Sequence, residues 1–205
     1  MLFLLVQGAF VQLIFLGVLL LVGIVLHEIA HVLAASSFGD DSTMREGRLT
    51  FNPRRHLEPF GVAAIVLVGY GWGKGVPFHS RRFGRGKRDV ILVALAGPAA
   101  NVVLSLLAAG ILRVLNPSGL VRGFLLAAVA VNLTLAIVHL FPVPPLDGYP
   151  ILAQLLPPSH SRVLEFLDRW NVVILILMVF IVPALIVRSI VPALGNLILG
   201  IFGVT

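Results

Sequence analysis

The sequence contains no cysteine. That excludes disulfide frameworks, cysteine-ligated zinc and a cysteine nucleophile, while leaving the compartment open. Charge is scarce as well: Asp, Glu, Lys and Arg make up 12% of the chain, against roughly a quarter in a soluble domain. With 59% hydrophobic residues and a mean hydropathy of +1.04, the chain lacks the polar surface needed to face water. The N-terminus, MLFLLVQGAF, has no basic n-region, and its apolar run leads straight into an ionisable cluster, so a cleaved signal peptide is not expected. There is no internal repeat and no low-complexity tract.

What the sequence has instead is a series of long apolar runs. A hydrocarbon core of about 30 Å needs about 20 apolar residues per helical crossing, which gives 205 residues room for about four to six passes. That leaves none for an appended soluble domain, so residues 1–205 read as one membrane-embedded domain. Residues 2–38 are almost continuously apolar and would make a helix of about 55 Å, so the helix is either strongly tilted or broken near Gly8, Gly17 or Gly23. A polar loop follows at 39–60. The apolar stretch 61–73 is too short to span and suits a re-entrant hairpin or a short strand pair buried against protein. Residues 74–89 form a basic loop. Spans are expected at 90–112, with a kink at Gly97-Pro98, at 120–141, and at 171–187 after the Pro-rich break FPVPPLDGYP and a polar stretch through Arg169. Residues 189–204 are apolar but short. The expected class is an all-α polytopic membrane protein.

The net charge of +6 reads as membrane topology rather than nucleic-acid binding. Arg45, Arg48, Arg54 and Arg55 in one loop, and Lys74, Arg81, Arg82, Arg85, Lys87 and Arg88 in the other, fall on one face if 61–73 dips in and returns. The positive-inside rule makes that face cytoplasmic. Crossings at 90–112 and 120–141 then bring the PPLDG segment back to the same face as the end of the first helix.

Chemistry concentrates in His27-Glu28-Ile29-Ala30-His31, an H-E-x-x-H pentapeptide within an apolar run. The i, i+4 spacing puts both imidazoles on one helix face, where they can take two positions of a tetrahedral zinc, with Glu28 close enough to take a proton from water. Three ionisable side chains at membrane depth are costly unless paired or coordinated. An internal polar network, such as the proton relay of a transporter, is the rival explanation. A catalytic zinc takes three protein ligands and keeps one position open. Asp147 is the best-placed third ligand, because prolines stiffen its segment and Gly148 allows close backbone approach. A plain Asp-Gly turn is the alternative.

H-E-x-x-H, followed by GRLTFNPRRHLEP at 47–59, GYGWGKGVPF at 69–78, ALAGPAAN at 94–101, NLTLA at 132–136 and PVPPLDG at 142–148, resembles the site-2 protease family of intramembrane zinc metalloproteases, in a minimal form without a PDZ insert. The resemblance covers most of the chain. It implies His27, His31 and Asp147 as zinc ligands, and Glu28 as the general base of a peptide-bond hydrolysis. It implies the transmembrane helices of other proteins as substrates. The family usually has Asn where this chain has His139, which could donate an N–H to substrate or oxyanion, join the metal, or bond to a backbone carbonyl. Asn101 could bind substrate, the catalytic segment or a freed carbonyl. Expected partners are the lipid bilayer and transmembrane-helix substrates, with no nucleic acid; the expected location is the plasma membrane with the site toward the cytoplasm. A catalytically inactive helix binder of the same family is the remaining alternative, and oligomeric state is not readable. The run Ala94, Ala96, Gly97, Ala99 and Ala100 reads as close helix packing, and His56, His79 and His160 read as solvated loop histidines.

Overall fold

The computed structural model describes residues 8–68, 71–75 and 82–204, with backbone alone at 68, 158 and 179–184. His79 lies outside these residues, as does part of the 61–73 return.

Helix α1, Phe10–Ser37, begins just after Gly8, whose φ of 70° ends any regular helix there. Its 28 residues run unbroken through Gly17 and Gly23, about 42 Å in length. A four-residue helix α2, Ser42–Arg45, and a 3-10 turn, Pro53–Arg55, follow in the polar loop. Asn52 caps that turn, its side-chain oxygen accepting from the Arg54 amide at 3.1 Å.

The 61–73 stretch is not a strand pair. Its described residues are helix α3, Pro59–Val68, and the non-helical 71–75, which a single antiparallel bridge between Leu57 and Gly73 joins to the loop. Among the described residues there is no strand. Only ten residues are helical, well short of a crossing. The Pro59 start and the glycine-rich GYGWGKG exit disfavour a ladder.

Helix α4, Lys87–Leu115, contains Pro98, which removes one N–H without ending the helix. Asn116 then takes a left-handed conformation (φ 40°) and closes it. Helix α5, Gly119–His139, is followed by a non-helical turn over the prolines and by α6, Gly148–Leu155. Helix α7, Ser161–Val182, starts earlier than the sequence suggested: the polar stretch from Ser161 through Arg169 is already helical. A π-helical segment, Pro183–Ile190, joins it to α8, Val191–Ile201, and opens at a residue with no N–H to donate.

Among the described residues three helices, α1, α4 and α5, are long and apolar enough to cross a membrane, and the chain is a membrane protein. They pack on one another, with α6 against α4 and α8 against α5. Lipid tails are as apolar as leucine, so close contact and interhelical hydrogen bonds supply the attraction. Small residues serve the first need: Ala35 on α1, Ala94 and Ala109 on α4, and Ala136 on α5 are buried. Ser105 serves the second, donating to the Val129 carbonyl of α5 at 3.2 Å.

Candidate metal centre

His27 and His31 lie on adjacent turns of α1, on the face turned to α4, and both are almost fully buried. Their ring centroids are 4.7 Å apart and their Nε2 atoms 3.1 Å apart. The PVPPLDG turn delivers Asp147 to the same point, with Oδ2 2.9 Å from His27 Nε2 and Oδ1 3.1 Å from His31 Nε2. Buried Val143 and Leu146 anchor that turn in the core. Asp147 is the residue before α6, yet its carboxylate makes no capping bond. It reaches the imidazoles instead, so the plain-turn alternative does not describe it. Gly148 is tightly placed: a Cβ there would collide with the Leu140 backbone.

The far side of each imidazole is fixed. His31 Nδ1 donates to the Val93 carbonyl of α4 at 2.7 Å. His27 Nδ1 lies 2.6 Å from Asn101 Oδ1. Asn101 Nδ2 in turn donates to Asn132 Oδ1 at 3.0 Å and to the Gly23 carbonyl at 3.3 Å. The chain ends where Asn132 Nδ2 donates to the Ala128 carbonyl at 2.9 Å. Since Asn101 Oδ1 and Val93 O accept, both Nδ1 atoms carry hydrogen, and in the neutral rings both Nε2 atoms present lone pairs. Two Nε2 lone pairs and two carboxylate oxygens then converge within hydrogen-bonding distance with no donor among them. Such a set repels itself unless a cation sits in its midst.

His27, His31 and Asp147 therefore fit a metal ion: each offers one ligand atom, all within 4.8 Å of one another, and each imidazole is oriented through its other nitrogen as metal-ligating histidines generally are. Burial opposes the Asp147 charge, so a carboxylate held here calls for a cation beside it, which a metal ion supplies. Gly97 of α4 lies flat against the pair. A Cβ on it would strike both Nε2 atoms, so this small residue does more than let helices approach.

Glu28 is buried beside this group, and its Oε2 has no hydrogen-bond partner among the described residues. Its Oε1 lies against Gly73 in the non-helical return segment 71–75. Arg48 holds that return in place, donating to the carbonyls of Arg55, Lys74 and Gly75. His56 is buried rather than solvated: its Nε2 bonds to the Thr50 carbonyl at 2.7 Å, and burial lowers its imidazole below the ordinary range. The loop folds back on itself to seat the return segment, which a composition-based reading as polar loop does not convey. His160 is exposed, next to Ser159.

Asn101, fully buried, sits behind His27 rather than in front of the carboxylate group. His139 packs its ring 4.2 Å from that of His27, and its Nδ1 donates to the Leu135 carbonyl one turn back in α5 at 2.8 Å. Asn132, Gly97 and Arg48 had no site role in the sequence reading. For Asn132 a signal existed: an amide in an apolar span needs a partner. Nothing local marks Gly97 or Arg48, whose roles arise between elements.

No protein-family model matches the chain, and no solved structure does. Curated proteins do. YwhC of Bacillus subtilis, named as a candidate zinc metalloprotease, is 33% identical over 178 residues, covering 82% of this chain and 81% of its own. Rip2 of Mycolicibacterium smegmatis, named in the same way, is 33% identical over 172 residues, covering 80% of this chain and 66% of its own. Rip2 of Mycobacterium tuberculosis is 34% identical over 175 residues with the same shares. With two buried histidines of a membrane helix gathered against Asp147, and a relative matched along four-fifths of both chains, this protein belongs to the site-2 protease family.

Proposed function

We propose that the chain is an intramembrane zinc endopeptidase that cleaves peptide bonds within the transmembrane segments of other proteins. The observation that carries this reading is the convergence of His27, His31 and Asp147 beside a buried, unpartnered Glu28 oxygen. Names of the relatives support zinc as the metal. Zinc held by the three residues supplies Lewis acidity, favouring deprotonation of water and polarising a carbonyl. Glu28 takes the proton from the attacking water as its oxygen adds to the scissile carbonyl carbon. It then delivers that proton to the departing amide nitrogen as the C–N bond breaks, which restores the carboxylate. Asn101 and the Val93 carbonyl position the two imidazoles. The return segment 71–75 shields Glu28 from bulk solvent.

His139 takes a narrower role than its position in the motif suggests. With Nδ1 donating to Leu135, the neutral ring keeps only a lone pair at Nε2. It can accept a substrate backbone N–H, but as a neutral ring it cannot donate to an oxyanion. The positive-inside rule applied to the basic loops supports a centre toward the cytoplasmic face, in the plasma membrane.

The test incubates purified, zinc-loaded protein with a panel of labelled transmembrane helices, alongside Glu28→Gln. Zinc-dependent cleavage that disappears in the variant supports the proposal. Failure of wild type to cut any helix while retaining zinc would instead leave an inactive helix binder.

A further inference from the structure

The folded-back loop after α1 builds a second polar cavity, with a lining that shares no residue with the metal centre. Glu46, Arg48, Arg54, Arg55 and Lys74 enclose about 520 Å³. Four cations face one carboxylate. Arg48 is buried and spends its guanidinium on three backbone carbonyls, so it supplies positive potential without being free to move. Arg54 and Arg55 are set side by side by the Asn52-capped turn and are exposed, as is Lys74. Among the described residues the side chains of Arg54, Arg55 and Lys74 form no ion pair, although Glu46 shares their cavity. Four cations gathered in a concave site against one carboxylate repel one another, and an anion relieves that repulsion.

The surroundings say which anion. Leu49, Phe51 and Phe60, the last two 76% exposed, come from the same loop and the start of α3, close to the arginines in sequence. Exposed phenylalanines next to unpaired arginines match a membrane interface, where apolar side chains enter the acyl boundary and cations meet phosphate. We infer that this cavity binds the phosphodiester headgroup of an anionic phospholipid. The residues that hold it are Arg54, Arg55 and Lys74, and Arg48 fixes the wall. That wall is the 74–75 backbone, one residue beyond the Gly73 that touches Glu28. The lipid therefore clasps the segment covering the base.

The experiment measures thermal unfolding of the full chain in neutral micelles titrated with phosphatidylglycerol, with phosphatidylcholine of the same acyl length, or with inorganic phosphate at matched ionic strength. Phosphatidylglycerol should raise the unfolding temperature of wild type and phosphatidylcholine should not. Arg54→Gln/Arg55→Gln/Lys74→Gln should lose the rise, whereas Arg85→Gln/Lys87→Gln/Arg88→Gln, which removes equal charge from the neighbouring exposed loop, should keep it. If the first triple variant does not fold, Lys74→Gln alone should move the titration midpoint about fivefold, the equivalent of ~1 kcal/mol per basic residue at an anionic surface. Equal loss in both triple variants, or no rise in wild type, overturns the site. An equal rise with inorganic phosphate overturns the lipid assignment in favour of a soluble phosphoryl ligand.

Discussion

At the scale of single residues, the decisive observation is which nitrogen of each histidine is spoken for. His27, His31 and His139 all direct Nδ1 at an oxygen acceptor. For the first two this leaves Nε2 as the atom free to meet a metal ion; for His139 it fixes what a neutral ring can do. Asp147→Ala should therefore lower zinc content, read by metal analysis of purified protein; retained stoichiometric zinc would remove Asp147 from the ligand set. Asn101→Ala removes the acceptor that orients His27. Zinc affinity should weaken by about 10–100-fold, the usual cost of losing such an outer partner, as measured by competition with a chelator. Glu28→Gln should keep zinc and lose turnover by about 10²-fold to 10⁴-fold, the general-base contribution. Loss of metal in that variant would make Glu28 a ligand rather than a base.

At the scale of elements, α4 makes the site possible. Its Gly97-Pro98 pair gives α1 a flat surface at the level of the histidines, and its neighbouring turn supplies the Val93 carbonyl. Gly97→Ala improves helix propensity by roughly 0.8–1.0 kcal/mol, yet places a methyl group where both imidazoles lie. Helicity by circular dichroism should be unchanged while zinc occupancy falls. If occupancy held, the close packing of α1 on α4 would not be limiting. The re-entrant element depends in the same way on Arg48, which ties three carbonyls of two separate segments. Arg48→Met should leave those carbonyls without their donor and speed proteolytic nicking in the 71–75 region, while the membrane helices stay intact. Beyond the turn, the Tyr149 hydroxyl bonds to Asp168 of α7, and burial together with that carboxylate pushes the phenol up to about 12, so it remains a donor throughout the ordinary pH range.

At the scale of the whole molecule, the proposed orientation puts the metal-binding group toward the cytoplasmic face. The absence of cysteine makes the test direct, because any introduced thiol is unique. A membrane-impermeant thiol reagent should label Ser118→Cys, in the α4–α5 link, from outside intact cells. Arg88→Cys, at the opposite end of α4, should react only after permeabilisation. The reverse pattern would invert the topology and the side from which water reaches Glu28.

The sequence by itself determined that the chain lives in a membrane, because hydropathy is a property of contiguous residues. It also set two histidines on one helical face, because i, i+4 spacing is local geometry. It pointed to Asp147 through proline stiffness and family resemblance, and to three of the long apolar helices through run length. Tertiary structure decided what local pattern cannot carry. It made α1 continuous, since packing on α4 and α5 outweighs the weak helix propensity of Gly17 and Gly23. It made 59–68 a helix, buried His56 and Arg48, and extended α7 back over a polar stretch. Above all it settled where the far sides of the imidazoles point. Those partners, Val93, Asn101 and through it Asn132, come from helices far along the chain. A buried hydrogen bond between distant elements leaves no periodic trace in sequence, because it depends on how two surfaces meet.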